Sequence, residues 1–231
     1  MLILFDIDMT LLKTNGAGRR AMADAGQRLF SPDFAFEGVD FAGRLDPLII
    51  RDLLTANGVD PTPENLAAMK AGYIETFAAT AAESIEPLPG AIELVHAIES
   101  EARRDPTTVP GVLTGNFAET GTFKLRAIGL DPGQFRVQVW GDDSPHEPPV
   151  RDHLPPVGID RYRGMHETDP RETVILGDTV HDVACGLANG CRVLGVATGR
   201  TDAQTLADAG AHRVVESLEA TEDIARWLLG G

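Results

Sequence analysis

Two aspartates near the beginning of the chain, Asp6 and Asp8, directly follow the apolar run Leu2 to Phe5. This run has the length and composition of a short buried strand in a parallel sheet. Ligands of open α/β sheets bind at the carboxyl ends of the strands, where these two acids would lie. Neighbouring carboxylates repel each other unless a cation or a proton compensates their charge. The pair is therefore a candidate for metal binding or catalysis, and the alternative is a helix cap or a solvated turn.

A second acidic pair follows another predicted strand, residues 173–176. Asp178 and Asp182 stand four residues apart across the predicted turn from this strand into a helix, so both can face one crevice. Carboxylate oxygens are the ligands that Mg²⁺ prefers, with water and substrate phosphate in the remaining positions. The sequence therefore predicts a magnesium site between two strand ends.

A third predicted strand, residues 109–113, ends in Thr114-Gly115-Asn116. Thr114 offers a hydroxyl donor. The amides of Gly115 and Asn116 would lie at the start of a helix, where N–H groups and the helix dipole favour an anion. A cation site, an anion pocket and a carboxylate that can act as a nucleophile together predict phosphoryl transfer through an aspartyl-phosphate.

The elements that would position these residues alternate between helix and strand from residue 91 onward. The predicted strands after residue 91 are 109–113, 136–140, 173–176, 192–196 and 213–215, and the predicted helices are 91–102, 118–128, 180–188, 201–209 and 218–229. This alternation predicts an α/β fold with a doubly wound parallel sheet, a Rossmann-like core. The Pro-rich stretch 145–156 is predicted to be a loop.

Between the first strand and this alternation, the chain has helical patterning only. Because the first strand must return to its sheet, residues 14–86 are predicted to be an inserted all-helical cap, and residues 1–13 and 87–231 the core. Pro87-Leu88-Pro89-Gly90 is the stiff connector at the exit of the cap. Such a cap would be mobile, close over the site, exclude water and select the leaving group.

The motifs DIDMTLL (6–12), VLTGN (112–116) and ILGDTVHD (175–182), with PLPG (87–90) between the first two, occur in a specific order. In this order the chain resembles the haloacid dehalogenase superfamily over nearly its whole length. It is most similar to the phosphatase branch with a helical cap after the first motif, as in phosphoglycolate phosphatases.

The resemblance implies that Asp6 is the nucleophile and that Asp8 is the general acid and base. It implies that Mg²⁺ is held by Asp6, the main-chain carbonyl of Asp8, and Asp178, with Asp182 in support. Thr114 and the amides next to it would bind the phosphoryl oxygens. An aspartate at position 8 favours a phosphatase over a dehalogenase, because a halide leaving group needs no acid.

The chain departs from the family pattern at two places. Met9 stands where the family usually has glycine, which is tolerated if the backbone there keeps a negative φ. The lysine of the third motif, ahead of the helix before Asp178, is missing. Arg151 lies at about that position, and Lys124 lies on the helix after Thr114. Both are candidates for the missing charge, and Arg151 is favoured because it would stand at the ligand-facing start of its own helix.

Two further residues are substrate-binding candidates. Gly43-Arg44-Leu45-Asp46 resembles the specificity segment of the cap, so that Arg44 either faces the substrate or pairs with Asp46 at the surface. Thr10, within the first motif, joins Gly115 and Asn116 as a possible contact to the phosphorylated substrate.

Composition restricts the partners. A net charge of −15 and a pI near 4.7 argue against nucleic acids and anionic membranes, which require a basic surface. Two cysteines without a metal-binding spacing indicate free thiols in a reducing compartment, and no apolar stretch is long enough for a signal peptide or a membrane span. We therefore expect a cytoplasmic protein with a small phosphorylated substrate; the sequence does not specify an oligomeric state.

Two alternatives to a Mg²⁺-dependent phosphatase stay open at this point. A phosphosugar mutase can use the same core, but it needs a cap that keeps water away from the intermediate. A phospho-receiver-like binding module also combines an acidic cluster with Thr and Lys on a doubly wound sheet, although it lacks a large helical insertion after the first strand.

Overall fold

The computed structural model describes residues 1–230. The strands are β1 (Leu2–Phe5), β2 (Leu12–Lys13), β3 (Glu86–Pro87), β4 (Val109–Leu113), β5 (Val137–Val139), β6 (Thr173–Gly177), β7 (Arg192–Val196) and β8 (Arg213–Val215). The helices are α1 (Ala17–Leu29), α2 (Asp46–Ala56), α3 (Pro63–Thr80), α4 (Ala91–Arg104), α5 (Ala118–Ala127), α6 (Leu154–His166), α7 (Val180–Ala188), α8 (Ala203–Asp208) and α9 (Thr221–Leu228).

Strand β1 lies inside a six-stranded parallel sheet with the order β5-β4-β1-β6-β7-β8. Its buried side chains alternate between two hydrophobic cores: Ile3 and Phe5 pack in one, and Leu2 and Leu4 pack in the other. Helices cover both faces because both faces are apolar. The predicted fold class, a doubly wound parallel sheet, is therefore confirmed.

The strand order reverses at β1, which has β4 on one side and β6 on the other. In a parallel sheet, the carboxyl ends of neighbouring strands meet at one edge, and ligands bind where the order reverses. The residues that follow Phe5, Leu113 and Gly177 are therefore brought together.

Helices α1, α2 and α3 lie between β2 and β3, and α1 packs along α3. The short strands β2 and β3 pair as an antiparallel ribbon, with Leu12 opposite Pro87 and Lys13 opposite Glu86. The chain thus leaves the sheet and returns to it at one place. A division into a core and a cap at these positions stays a prediction. No helix within residues 1–230 combines the length and the apolar composition that crossing a bilayer requires.

Residues 31–45 form turns and irregular backbone between α1 and α2, because Pro32 ends the helical pattern, as its place in the sequence predicts, and Gly38 and Gly43 adopt positive φ. One segment differs from its predicted structure. The predicted loop 145–156 ends early, since α6 begins at Leu154 after a 3₁₀ turn. Prolines in the first turn of a helix lose no hydrogen bond, so Pro155 and Pro156 are compatible with this start.

Candidate active site

The first acidic pair lies at the carboxyl end of β1. The N–H of Asp6 donates to the carbonyl of Leu176 in β6 at 2.9 Å, so Asp6 is held as a continuation of the sheet. Its side chain is buried, whereas 38% of the Asp8 side chain is exposed. Ile7, between them, points into the core. The two acids are therefore close in sequence but differ in access to solvent.

Met9 ends this extended stretch. Its φ of 57° lies in the left-handed region, so the condition under which a side chain is easily tolerated here, a negative φ, is not met. Its N–H donates to the carbonyl of Leu12 at 2.7 Å, and its own carbonyl accepts from the Thr198 hydroxyl. A non-glycine residue in this region costs about 1 kcal/mol or more. The surrounding hydrogen bonds therefore hold a strained turn directly after Asp8.

Three buried carboxyl groups cluster below this turn. Oxygens of Asp6, Asp178 and Asp182 lie within 4.8 Å of one another. Burial, followed by the negative charge of Asp182, raises the pKa of Asp178 to about 9 and that of Asp6 to about 7. Repulsion of this kind is relieved by a cation, and an all-oxygen donor set suits a hard divalent metal. The donor chemistry thus fits a Mg²⁺ ion.

Arg151 lies against this acidic cluster. Its buried guanidinium is 3.2 Å from the Asp6 carboxylate and pairs closely with Asp182. It also donates to the carbonyl of Gly43 in the helical segment, at 3.3 Å. The positive charge opposes the rise in the pKa of Asp6. Arg151 stands in the 3₁₀ turn directly before α6, which places its charge at the sheet edge.

Lys124 reaches the site as well, although it is the seventh residue of α5, at the end of its second turn. Its buried Nζ donates to the two Asp8 oxygens at 2.6 and 2.9 Å, and also to Oδ1 of Asn116. Asn116 Nδ2 donates to Asp8 and to Oγ1 of Thr114, both at 2.7 Å. The long lysine stem spans the distance down the helix. The two cations therefore serve different aspartates, Arg151 at Asp6 and Lys124 at Asp8.

Gly115 forms the contact between the core and the helical segment. A Cβ atom at this position would lie 2.1 Å from the carbonyl oxygen of Arg44, so the close approach requires glycine. The N–H of Asp46 donates to the Gly115 carbonyl at 2.7 Å, and its carboxylate accepts from the N–H of Phe117 at 3.1 Å. Because α5 begins only at Ala118, the amides of Gly115 and Asn116 precede the helix rather than open it.

Asp46 is a residue of the site that the sequence did not indicate as a ligand. It is buried, and burial raises the pKa of its carboxyl group to about 7, although the charge of Lys124 lowers it. Only the position of Asp46 in the sequence could have indicated a structural role, because an acid before Pro47 at a helix start is typical of a capping residue. Here it binds the N-terminus of another helix, α5.

Arg44 and Thr10 are placed differently from each other. Arg44 lines the cavity above the acids, and its guanidinium pairs with Asp52 at 2.6 Å. The surface pair with Asp46 considered from the sequence is therefore wrong. Thr10 is fully buried, its hydroxyl has no hydrogen-bond partner within residues 1–230, and it does not line the cavity. Its contact with substrate stays a prediction.

A cavity of about 300 Å³ lies between the sheet edge and the helical segment. The structure brings most of the predicted site residues to its wall, namely Asp6, Asp8, Arg44, Thr114, Gly115, Asn116, Lys124, Arg151 and Asp178. Sequence reasoning missed the loop after β7, which also contributes Arg200. Gly199 in that loop approaches so closely that a Cβ would lie 1.8 Å from Oδ2 of Asp178. The sequence feature that could have indicated this loop is a Thr-Gly pair after an apolar strand, as at Thr114-Gly115.

Two sequence comparisons each match part of the chain. A family model described as HAD-hydrolase-like matches residues 154–221. The pyrophosphatase PpaX of Bacillus pumilus is 35% identical over 91 residues, which are 38% of this chain and 38% of that protein. The matched segment thus spans well under half of the curated relative.

Solved structures match over almost the entire chain. CbbY from Rhodobacter sphaeroides, in complex with phosphate, has a TM-score of 0.73 at 23% identity and covers 94% of both chains. A predicted phosphoglycolate phosphatase from Haemophilus somnus has a TM-score of 0.72 at 15% identity and covers 96% of both. At these identities the likeness shows the fold, including the helical segment between β2 and β3.

Proposed function

Because the chain resembles the haloacid dehalogenase superfamily in its motifs and in its fold, we propose that it is a Mg²⁺-dependent phosphatase that hydrolyses a small phosphorylated metabolite through an aspartyl-phosphate. The observation that carries this proposal is the pair of aspartates at the end of β1. Asp6 is buried beside two further carboxyl groups and Arg151, whereas Asp8 is partly exposed and held by Lys124. These two environments support attack on phosphorus by Asp6 and exchange of protons with substrate and water by Asp8.

In the first step, an oxygen of Asp6 attacks phosphorus, and the bond from phosphorus to the leaving oxygen breaks. Asp8 gives its proton to that oxygen, so the product leaves as an alcohol. In the second step, water attacks the aspartyl-phosphate, Asp8 accepts a proton from it, and the carboxylate of Asp6 is restored as inorganic phosphate leaves. Thr114 supplies a buried hydroxyl beside the site.

Asp6, Asp178 and Asp182, with the main-chain carbonyl of Asp8, would hold the Mg²⁺ ion. Bound there, the ion supplies positive charge for the phosphoryl oxygens. The raised pKa values of Asp6 and Asp178 support this assignment, since an acidic cluster of this kind needs a cation to be fully ionised. Arg151 provides only one of the positive charges that full ionisation of these carboxyl groups requires.

The test is release of inorganic phosphate from an aryl phosphate by purified protein, with Mg²⁺ and after removal of metal by EDTA. We expect turnover that disappears with EDTA and returns on addition of Mg²⁺. Metal-independent turnover, or none with any phosphate ester, would contradict the proposal. A phosphosugar mutase would instead return an isomerised phosphosugar, and a receiver-like module would be phosphorylated without turnover.

The size of the cavity supports a small substrate rather than a phosphoprotein or a nucleic acid. The acidic surface implied by a net charge of −15 repels polyanions as well. We keep a cytoplasmic location as part of the proposal; Cys185 and Cys191 are both buried free thiols. Efficient hydrolysis of a folded phosphoprotein would contradict the restriction to small substrates.

A further inference from the structure

We propose that the substrate carries a second anionic group, a carboxylate or a second phosphate, and that Arg19 and Arg200 bind it. This inference rests on the proposed phosphatase function and deepens it by naming the substrate class. Arg19 lies on α1 of the helical segment, and Arg200 lies on the loop after β7 of the core. Both line the cavity that contains Asp6 and Asp8.

The argument begins with charge compensation at the cavity wall. Lys124 pairs with Asp8, and Arg44 pairs with Asp52. Arg151 is likewise neutralised by the two carboxylates that it contacts. These cations are therefore already used by the protein itself.

Arg19 and Arg200 are different. Neither guanidinium has a hydrogen-bond or ion-pair partner anywhere in the part of the chain that the structure describes, residues 1–230. In a protein with 35 acidic and 20 basic residues, an arginine finds a carboxylate easily, and most of the others do. Two uncompensated guanidinium groups at one cavity therefore present a site for an external anion.

The positions of the two arginines also separate this anion from the transferred phosphate. The phosphoryl group must lie beside Asp6 and Thr114 at the sheet edge, whereas Arg19 approaches from the helical segment. Its guanidinium lies 5.7 Å from the centre of the Phe36 ring, which restricts its orientation. Arg200 is exposed at the rim. A substrate with anions at both ends would thus contact the core and the helical segment together.

The experiment compares three substrates that share a chain of three methylene groups: 3-hydroxypropyl phosphate, 4-phosphooxybutanoate and propane-1,3-diyl bisphosphate. They differ only in a neutral, carboxylate or phosphate end group. For the unmodified enzyme with Mg²⁺, we expect kcat/KM to be at least about tenfold higher for one anionic substrate than for the neutral one, which corresponds to about 1.4 kcal/mol. The anionic substrate that is preferred identifies the second group.

Arg19→Gln and Arg200→Gln should each reduce that preference, and the double variant should remove it, while kcat/KM for the neutral substrate is kept. Arg126→Gln is the matched control, since Arg126 is exposed, lies outside the cavity and loses the same charge. An unmodified enzyme without preference, variants that lower all three values equally, or an equal effect of Arg126→Gln would overturn the inference. Retained hydrolysis of an aryl phosphate in these cases would leave the proposed phosphatase function standing.

Discussion

Asp6 and Asp8 are two residues apart, but they occupy opposite environments. Asp6 is only 6% exposed and lies among carboxyl groups with Arg151, whereas the Asp8 carboxyl opens to the cavity and is held by Lys124 and Asn116. The difference arises beyond β1, because the turn at Met9 moves the chain away from the acidic cluster. A short extended segment thus supplies both a desolvated carboxyl group and one that is accessible from the cavity.

The comparison also explains why two cations are needed. The family's third motif has a single lysine, which this chain lacks, and the sequence offers Arg151 and Lys124 as alternatives for its charge. The structure gives each of them a different carboxylate, Asp6 for Arg151 and Asp8 for Lys124. The two positive charges are therefore complementary, and their removal should have different consequences.

The largest effect is expected for Asp6→Asn. An amide is a poor nucleophile, so kcat should fall by about three orders of magnitude or more, because residues that act as one unit are lost together. The thermal midpoint of the metal-free protein should not decrease, since one repelling charge is removed from the cluster. Retention of a tenth of the unmodified kcat would exclude Asp6 as the nucleophile.

Asp8→Asn should have a large effect that depends on the substrate. Loss of a general acid costs about 10²- to 10⁴-fold. Alkyl phosphates, which have poor leaving groups, should lose this much, whereas aryl phosphates should lose less because their leaving group needs little proton transfer. The ratio of kcat for the two substrates measures the effect. Equal losses on both would contradict the acid role and remove the functional contrast with Asp6.

Removal of the two cations separates their roles. Arg151→Ala should lower kcat more than Lys124→Ala, because it leaves Asp6 and Asp182 buried without compensation. It should also destabilise the protein by about 3 kcal/mol, as expected for a buried ion pair that loses one partner. Arg151→Lys, which keeps the charge, controls for the loss of stability and should recover part of kcat. A nearly silent Arg151→Ala with an inactive Lys124→Ala would reverse the assignment.

A smaller effect is expected on the pH dependence of stability without metal. The folded-state pKa values of Asp6 and Asp178 are raised to about 7 and 9, so the folded state binds more protons than the unfolded state. Stability should therefore decrease as pH rises from about 4 toward 9. Asp178→Asn should flatten this profile, and Mg²⁺ should restore stability at alkaline pH. Asp24→Asn, which removes an exposed acid from α1, is the control; the same flattening there would contradict the assignment.

The strand ends could be predicted from sequence because Asp6, Thr114 and Asp178 each stand at the end of an apolar run. The bounds of β4, β7 and α7 were predicted without error for this reason. The partners of these residues could not be predicted, since they meet across long chain separations. Lys124 and Asp8 are 116 residues apart, and Asp46 and Phe117 are 71 apart. Hydrophobic periodicity reports which face of an element is buried, but not which distant side chain will lie against it.

The paired strands β2 and β3 have a mechanical consequence for the proposed cap. Both covalent connections of the helical segment pass through this one narrow ribbon, which is tied further by the N–H of Leu88 to the carbonyl of Leu11 at 3.0 Å. A helical segment attached to the core at two adjacent points can rotate about them, whereas its translation relative to the core is restricted. In such a motion Arg44, far from the ribbon, would move most, whereas the residues beside the ribbon would move least. Opening of the proposed cap would separate Gly43 and Arg44 from Arg151 and Gly115, while β1, which ends at Asp6, would stay paired in the sheet.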